Sequence, residues 1–462
     1  MLTLNLQLPS GMWKKFSLLF FFSFSTLAAE ENLEVLLSTK VALKPLYLTE
    51  LQIGREQIDW RYPDELRSLL AFDLANNGYN SIAPVRLEWE KKIYWPDPRT
   101  RFDLAFWNRE NISFVIAVQA SQDSFTATAF HIQRGTSKRY PEIPLTGDAL
   151  TDRHAIHLLA DAIQKDLFGT KGIASQRILF SQRVKNTGIS GSEWLSDIWT
   201  ADWDGANAKR LTMARGYCIT PSFMPQKIAH SDGEYYYVSS DGGQTKIYRS
   251  SNDAKASPMI RMRGSQLLPA ISKTGQQIAF ISDAAGRPDL FVQNLDTEGK
   301  QVGKARQLFS APFATQASPT YAPDGGKLAF VSDKDGTPRI YVMEIPDPRS
   351  TRRVVPKLLT KKNRENTSPS WSPDGAKLAY SARTDGVRQI WIYDFAAAEE
   401  WQLTFGPDNK ENPCWASNSL HLIYNTETND ISELFIINLN QQQPMQISTG
   451  FGQKRFPSWE TH

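Results

Sequence analysis

Residues 368–391 read SPSWSPDGAKLAYSARTDGVRQIW and contain the pattern that decides the fold. Pro373-Asp374-Gly375 is typical of a tight turn, because proline fixes φ, aspartate bonds its own backbone and glycine tolerates a positive φ. A short run of strand-favouring residues follows this turn, and another follows the second turn at Asp385-Gly386. Taken alone, the stretch predicts a β-meander.

The same pattern recurs along the chain. Residues 318–341 (SPTYAPDGGKLAFVSDKDGTPRIY) and 268–291 (LPAISKTGQQIAFISDAAGRPDLF) repeat it at intervals of 50 residues. Weaker copies lie near residues 178–199, 221–248 and 413–435. The second predicted strand of each copy ends in an aromatic residue: Phe180, Tyr237, Phe280, Phe330, Tyr380 and Tyr424. Six units of about 50 residues, each with about four short strands, predict a mainly β fold, a six-bladed β-propeller.

The two ends of the repeat region predict how the ring closes. The first unit begins at Arg177 without the proline-containing opening strand of the other units. Phe456-Pro457-Ser458-Trp459, at the other end, is an opening strand with no unit after it. We therefore expect the C-terminal strand to complete the first blade, since closure removes exposed sheet edges. The predicted propeller covers residues 173–462.

The N-terminus has the features of a secretory signal peptide. Lys14-Lys15 precede the apolar run 16–27, which ends in Ala28-Ala29. We expect residues 1–29 to be removed on export to the periplasm; whether the chain starts at Met1 or Met12 stays open. Removal takes two lysines from 52 basic residues and leaves 49 acidic ones, so the net charge falls from +3 to about +1. That balance argues against nucleic-acid partners, and no later apolar run is long enough to span a membrane. We expect a monomer peripheral to the envelope.

Residues 30–172 show no repeat and predict a small α/β domain. Helical spacing occurs at 63–74, 101–108 and 148–168, and apolar runs typical of strands occur at 33–37, 41–48, 114–119 and 124–133. His154 and His157 lie three residues apart on the last predicted helix, a spacing that could hold a metal ion. No third ligand stands near them in the sequence, so we expect surface histidines.

Motifs that would indicate catalysis or a cofactor are missing from the sequence. It contains no Gly-x-Ser-x-Gly, phosphate-binding loop, His-Glu-x-x-His or Cys-x-x-Cys motif. The Asp-Gly pairs are the default residues of hairpin turns and lack the spacing of a calcium loop. We predict no catalytic residues, no cofactor and no metal. Cys218 and Cys414 fall in different blades and are expected to be thiols.

With these units placed, the chain resembles the TolB family, the periplasmic component of the Tol-Pal system. The WSPDG-x-KLA-[FY] units resemble that family's propeller repeats, and GTKGIASQRILF at 169–180 resembles its junction between domains. LANNG at 74–78 and FPSW at 456–459 are similar to two further segments. The second unit lacks Ser-Pro-Asp-Gly, and the sixth has Ala-Ser-Asn-Ser at 416–419 instead.

The resemblance implies a non-enzymatic scaffold that supports outer-membrane integrity and cell division. It implies that the propeller binds the peptidoglycan-associated lipoprotein and that the N-terminal region binds a TolA-like inner-membrane protein. The loops before each opening strand suit a partner surface, because binding residues often lie on loops of a rigid scaffold. The residues predicted for the lipoprotein are Tyr217, Arg263, Gln266, Gln316, Arg364, Asn366, Asn409 and Lys454. Those predicted for TolA are Glu30, Asn32 and Leu33.

Two other functions remain open from the sequence. Similar repeats occur in propellers that accompany peptidases, but these predict a hydrolase domain after the ring. A propeller that binds or cleaves glycan or peptidoglycan predicts acidic and aromatic residues around the axis.

Overall fold

The computed structural model describes residues 41–53, 61–95, 97–188, 193–213, 216–240, 243–251, 254–347, 354–428 and 431–460. The predicted signal peptide, the predicted strand at 33–37 and the three predicted TolA-binding residues lie outside the described residues. No helix within these ranges is both long and apolar enough to cross a membrane.

The N-terminal α/β part is built on a mixed sheet, with seven strands among the described residues. The strands are β1 (Lys44–Leu48), β2 (Gln52–Ile53), β3 (Asn80–Ile82), β4 (Phe114–Ala120), β5 (Ser124–His131), β6 (Thr136–Arg139) and β7 (Ile143–Pro144). The helices are α1 (Arg61–Ala75), α2 (Leu87–Glu90), α3 (Leu104–Arg109) and α4 (Ala149–Phe168). The main path is β3-β1-β4-β5-β6, in which β1 pairs in parallel with β3 and β4.

The sheet of the α/β part buries both faces because its central strands are apolar throughout. Leu46 and Ile116 face α1 and α4, whereas Tyr47 and Val115 face a cluster around Trp107. This alternation follows from the two-residue period of a strand. The last helix, α4, is capped at both ends. The Asp148 carboxylate accepts the Leu150 N–H, and Gly169 ends the helix at φ 70°.

In the described part of the chain, six four-stranded antiparallel sheets follow, which confirms the predicted propeller. The strands of blades 2 and 3 are β11 (Cys218–Phe223), β12 (Tyr235–Ser239), β13 (Lys246–Ser251), β14 (Ala254–Pro258), β15 (Gln266–Ile271), β16 (Gln277–Ser282), β17 (Asp289–Leu295) and β18 (Gln301–Phe309). Those of blades 4 and 5 are β19 (Gln316–Tyr321), β20 (Lys327–Ser332), β21 (Arg339–Glu344), β22 (Lys357–Leu358), β23 (Asn366–Trp371), β24 (Lys377–Thr384), β25 (Val387–Asp394) and β26 (Glu399–Gln402). Blade 6 contains β27 (Asn409–Trp415), β28 (His421–Glu427), β29 (Leu434–Asn438) and β30 (Met445–Gln446).

Blade 1 joins the two ends of the propeller, as the sequence predicts. It contains β8 (Arg177–Lys185), β9 (Trp194–Asp202) and β10 (Lys209–Arg210), with β31 (Gln453–Trp459) as its innermost strand. Ser458 pairs with Leu179 in the antiparallel ladder between β31 and β8. The ring therefore closes through the C-terminal strand, and blade 1 needs both ends of the propeller sequence.

Each innermost strand contains a β-bulge immediately before a proline. The residue preceding that proline has a φ between 44° and 53°, a conformation that side chains other than glycine rarely adopt. The six residues are Thr220, Leu268, Ser318, Ser368, Asn412 and Phe456. Every innermost strand shifts its register at this point. Proline fits here because a bulge interrupts the ladder that would otherwise require its missing N–H.

The α/β part packs on the propeller where α1 ends. Gln441 donates to the Ala75 carbonyl at 2.9 Å, and Asn440 donates to the Gly78 carbonyl at 2.8 Å. These side chains satisfy carbonyls that the end of a helix leaves without partners. His157 lies at the same interface and is 1% exposed, so the expectation of a surface histidine is wrong for this residue, while His154 is exposed. The sequence of α4 does not indicate this burial, because it depends on contacts with Asp73 of α1 and with the propeller.

His421 is a neutral histidine buried in the same interface. Its Nε2 lies 2.8 Å from the Asn76 carbonyl, and its Nδ1 lies 2.9 Å from the Asn418 amide nitrogen. The Asn418 amide oxygen accepts the His421 backbone N–H at 3.2 Å, so the amide N–H₂ must face Nδ1. Nδ1 is therefore an acceptor and Nε2 carries the proton. Burial lowers the pKa of His421 to about 4 from its usual 6.5.

We expect acid to destabilise the fold through His421. The unfolded ring gains its proton near pH 6.5 and the folded ring only near pH 4. Stability is therefore full above pH 6.5 and falls as the pH drops toward 4, by about 3 kcal/mol. Urea unfolding at about pH 7 and pH 4 should show this loss, and His421→Gln should show a loss smaller by about that amount. His154→Gln, at an exposed position, should keep the full dependence. Equal pH dependence in both variants would contradict the assignment.

Candidate functional site

One face of the propeller carries the connections between blades, and we call it the mouth. It is formed by residues 211–213 and 216–217 with 259–265, 310–315, 359–365, 403–408 and 447–452. The hairpins between the second and third strands of each blade emerge at the same face, since the strands are antiparallel. The α/β part contacts the opposite ends of the strands, at residues such as His421 and Gln441. The mouth is thus the face that the α/β part leaves uncovered.

Large apolar side chains project from the connections that form the mouth. Their exposed fractions are 86% for Met213, 68% for Phe405 and 77% for Phe451, and Phe313 is fully exposed. Ile431, in the hairpin between β28 and β29, is also exposed. Exposed apolar groups scattered singly need no explanation, but several on one face typically mark an interaction surface.

Basic and aromatic residues complete the mouth. The exposed members are Tyr217, Arg263, Lys361, Lys362 and Arg364. Tyr217 lies on the same connection as Met213, and the others lie on connections next to those that carry the apolar side chains. Aromatic and arginine side chains are the residues most often found at the centre of protein interfaces. The mouth therefore combines exposed apolar, aromatic and basic side chains, a composition typical of protein-binding surfaces.

A groove of ≈ 210 Å³ opens at the mouth between blades 1 and 2. It is lined by Ser181, Arg183, Trp194, Ser196, Tyr217, Ile219, Arg455 and Phe456. The Arg183 guanidinium lies 3.9 Å from the centre of the Trp194 ring. Burial, together with the neighbouring Arg455, lowers the pKa of Arg183. Two guanidinium groups beside aromatic rings favour a ligand group with negative charge.

Arg455 also belongs to a chain of ion pairs beside the axis. It contacts Glu427 at 2.6 Å, and Arg388 contacts Glu411 at 3.1 Å. Burial, and then the charge of Glu427, raises the pKa of Glu411. Arg388 also lies 3.9 Å from Glu365. Most of these groups are partly buried and paired, so they hold the innermost strands in place. They also place charged groups at the mouth.

Four of the residues predicted to bind a partner are buried. Gln266, Gln316, Asn366 and Lys454 are all at most 4% exposed, which corrects the expectation that their side chains line the surface. Each stands at or next to the start of an innermost strand, where the side chain turns under the preceding connection. The hydrogen-bond partners of Gln266, Asn366 and Lys454 show what these three side chains do instead. Among the described residues, neither polar atom of the Gln316 amide has a hydrogen-bond partner.

Three of these buried side chains anchor the mouth connections. The Lys454 ammonium contacts Glu433 at 2.9 Å and donates to the Gly450 carbonyl at 2.8 Å. The Gln266 amide donates to the Ile260 carbonyl at 3.1 Å. The Asn366 amide donates in the same way to the carbonyl of Asn363, at 2.9 Å. They shape the loops without reaching a partner themselves.

The other predicted residues remain available at the mouth. Tyr217, Arg263 and Arg364 are exposed, whereas Asn409 is half-buried and accepts the Arg388 N–H at 2.8 Å. Phe313, Phe405 and Phe451 are not among the residues predicted from the sequence to bind a partner. A signal was present for two of them, since Phe405-Gly406 and Phe451-Gly452 place a large apolar residue beside a glycine in a loop.

Comparisons with known proteins agree with this architecture. A family model described as the TolB beta propeller domain matches residues 164–462. The Protein TolB homolog of Protochlamydia amoebophila is 42% identical over 316 residues, which cover 67% of this chain and 67% of that relative. The homolog of Chlamydia felis is 39% identical over 190 residues, 40% of this chain and 43% of that relative. The chain therefore matches about two thirds of the first relative and less than half of the second.

A solved structure shares the fold. The crystal structure of TolB from Acinetobacter baumannii superposes with a TM-score of 0.70 at 21% identity, covering 90% of this chain and 96% of that chain.

Proposed function

The chain belongs to the TolB family, and from this premise we propose that it is a non-enzymatic periplasmic scaffold of a Tol-Pal system. In this proposal the mouth binds the peptidoglycan-associated lipoprotein, and the complex supports outer-membrane integrity and cell division. The observation that carries the proposal is the set of exposed apolar side chains Met213, Phe313, Phe405 and Phe451 on one uncovered face.

The closed ring suits a binding surface of this kind. Anchored connections, such as the one held by Lys454 through Thr449 and Gly450, pre-organise the mouth before a partner arrives. A pre-organised surface loses little conformational entropy on binding, so more of the contact energy remains as affinity. The arginines beside the groove would add charge-assisted hydrogen bonds to acidic groups of the lipoprotein.

We expect Phe405→Ala with Phe451→Ala to weaken lipoprotein binding at least tenfold, since buried aromatic anchors dominate interface energies. The measurement is calorimetric titration of residues 30–462 with the soluble domain of the same organism's lipoprotein. Leu150→Ala is the matched control, because Leu150 is 61% exposed but lies on α4 of the α/β part. Its affinity should stay within about twofold of the unmodified protein.

Two results would oppose the proposal. Unchanged affinity in the double phenylalanine variant would move the interface away from the mouth. Absence of binding by the unmodified, folded protein would redirect the search to another partner. The first alternative to test would then be peptidoglycan fragments, which the aromatic groove around Trp194 and Tyr217 could accept.

The N-terminal segment is proposed to bind a TolA-like protein through Glu30, Asn32 and Leu33. This proposal rests on the family relationship, because these residues lie outside the described ranges. Removing residues 30–37 should abolish the interaction with the TolA domain while leaving lipoprotein binding in place. Retention of the TolA interaction after the truncation would refute the assignment.

A further inference from the structure

His157 faces two aspartates from the propeller across the interface with the α/β part. Asp202 ends β9, and Asp204 lies in the turn that follows it. One possible ligand atom from each of these three residues lies within 4.8 Å of the other two. The sequence shows no third ligand near the histidine because the aspartates come from a different part of the fold.

The imidazole of His157 is oriented as in a metal ligand. Its Nδ1 lies 2.8 Å from a carboxylate oxygen of Asp73, whose other oxygen accepts the Trp203 indole N–H at 2.9 Å. Histidines that ligate metals usually donate their second ring N–H to a carboxylate in this way, which leaves the other nitrogen's lone pair for the ion. Among the described residues, the buried Nε2 of His157 has no hydrogen-bond partner. A buried polar nitrogen without a partner requires an explanation, since such atoms are normally satisfied.

The two aspartates that face His157 are both paired with one arginine. Arg153, one helical turn before His157 on α4, contacts Asp202 at 3.3 Å and also contacts Asp204. Three carboxylates, including Asp73, therefore share one permanent cation in a region largely removed from water. The Arg153 side chain is 17% exposed, so it has access to solvent if another cation takes over the two aspartates.

We propose that His157 Nε2, Asp202 and Asp204 form a binding site for a divalent transition ion of the zinc type, in competition with Arg153. Imidazole nitrogen with carboxylates suits zinc and its neighbours, whereas calcium and magnesium prefer oxygen alone. Tetrahedral zinc with bonds of 2.0–2.1 Å separates its ligand atoms by about 3.3 Å. The three ligand atoms now lie within 4.8 Å of one another, so we expect the two aspartate side chains to rotate away from Arg153 when the ion binds. The bound ion would join α4 to blade 1.

The test is calorimetric titration of Zn²⁺ into residues 30–462, freed of any affinity tag and treated with chelator, with visible absorption of Co²⁺ as a second probe. We expect one ion per chain. Asp202→Asn and Asp204→Asn should each weaken Zn²⁺ binding at least tenfold, because each replaces a charged carboxylate ligand by a neutral amide of similar shape. His154→Gln should bind normally, since His154 is exposed and is not one of the three clustered residues.

Arg153→Gln separates a metal site from a purely structural ion pair. If the arginine competes with the ion, its removal should tighten Zn²⁺ binding, and Zn²⁺ should raise the melting temperature of this variant more than that of the unmodified protein. A structural ion pair alone predicts a destabilised variant that Zn²⁺ does not restore. Absence of binding in the unmodified protein, or full binding in a folded Asp202→Asn and Asp204→Asn double variant, would overturn the proposal.

Discussion

Deletion of residues 453–462 is expected to abolish cooperative folding of the propeller. The deletion removes β31, the innermost strand of blade 1, and with it Trp459, which is 1% exposed. It also removes Glu460, whose carboxylate accepts the Arg177 backbone N–H at 2.9 Å and the Arg177 guanidinium at 2.5 Å. The loss would exceed the ~5–15 kcal/mol by which native proteins are stable, because blade 1 would then expose an unpaired edge toward the axis.

Thermal and urea unfolding followed by circular dichroism would test the closing strand. Deletion of residues 461–462 alone is the control and should melt like the full chain. A synthetic peptide of residues 453–462 should restore a cooperative transition to the truncated protein, since it can add the missing strand. A truncated protein that keeps a sharp transition within a few degrees of the full chain would show that the ring does not depend on β31.

Substitution of Gly205 by alanine is expected to cost about 4 kcal/mol of unfolding free energy. Gly205 has a φ of 85°, and a Cβ built on it would lie 1.6 Å from the Ile447 carbonyl oxygen. The positive φ alone lowers the unfolding free energy by about 1–2 kcal/mol when the residue has a side chain. The close contact with the Ile447 carbonyl forces the turn after β9 away from the backbone of blade 6. A backbone carbonyl cannot move aside as a flexible side chain can.

Gly386→Ala is the matched control for this prediction. Gly386 has a φ of 86°, nearly the same as Gly205, but a Cβ there has no atom within 4 Å. Its loss should be limited to the conformational part, about 1–2 kcal/mol. Urea denaturation of both variants measures the difference. Equal losses would show that contact between blades 1 and 6 does not constrain Gly205.

Much of the propeller was predictable because each repeat contains the turn and strand residues that specify its own local structure. The aromatic residues that mark the repeats are cross-strand neighbours: Phe280 with Phe291, Phe330 with Tyr341, and Tyr380 with Trp391. In the α/β part the long helices and the strands from Phe114 to His131 were also predicted. The short strands β2, β3, β6 and β7 and the one-turn helix α2 were not, since two to four residues carry too little periodicity.

The sequence predicted which connections form the mouth, but not which of their side chains are exposed. The location of the mouth follows from chain order, because each connection precedes an innermost strand. The prediction of which mouth side chains are exposed then failed because it relied on their polarity. Gln266 and Lys454 are polar but buried, whereas Phe405 and Phe451 are apolar but exposed. A residue's polarity reports its burial only on average, and single positions in loops depend on which neighbour the loop covers.

The sequence by itself determined the repeat, the number of blades, the tight turns and the closing strand, because these depend on local backbone preferences and a regular spacing. Only the tertiary structure decided which side chains lie under the mouth connections and which lie on them. It also brought His157 of α4 beside Asp202 and Asp204 of blade 1. Such groupings depend on how separately folded surfaces pack, and no local preference in the chain encodes that contact.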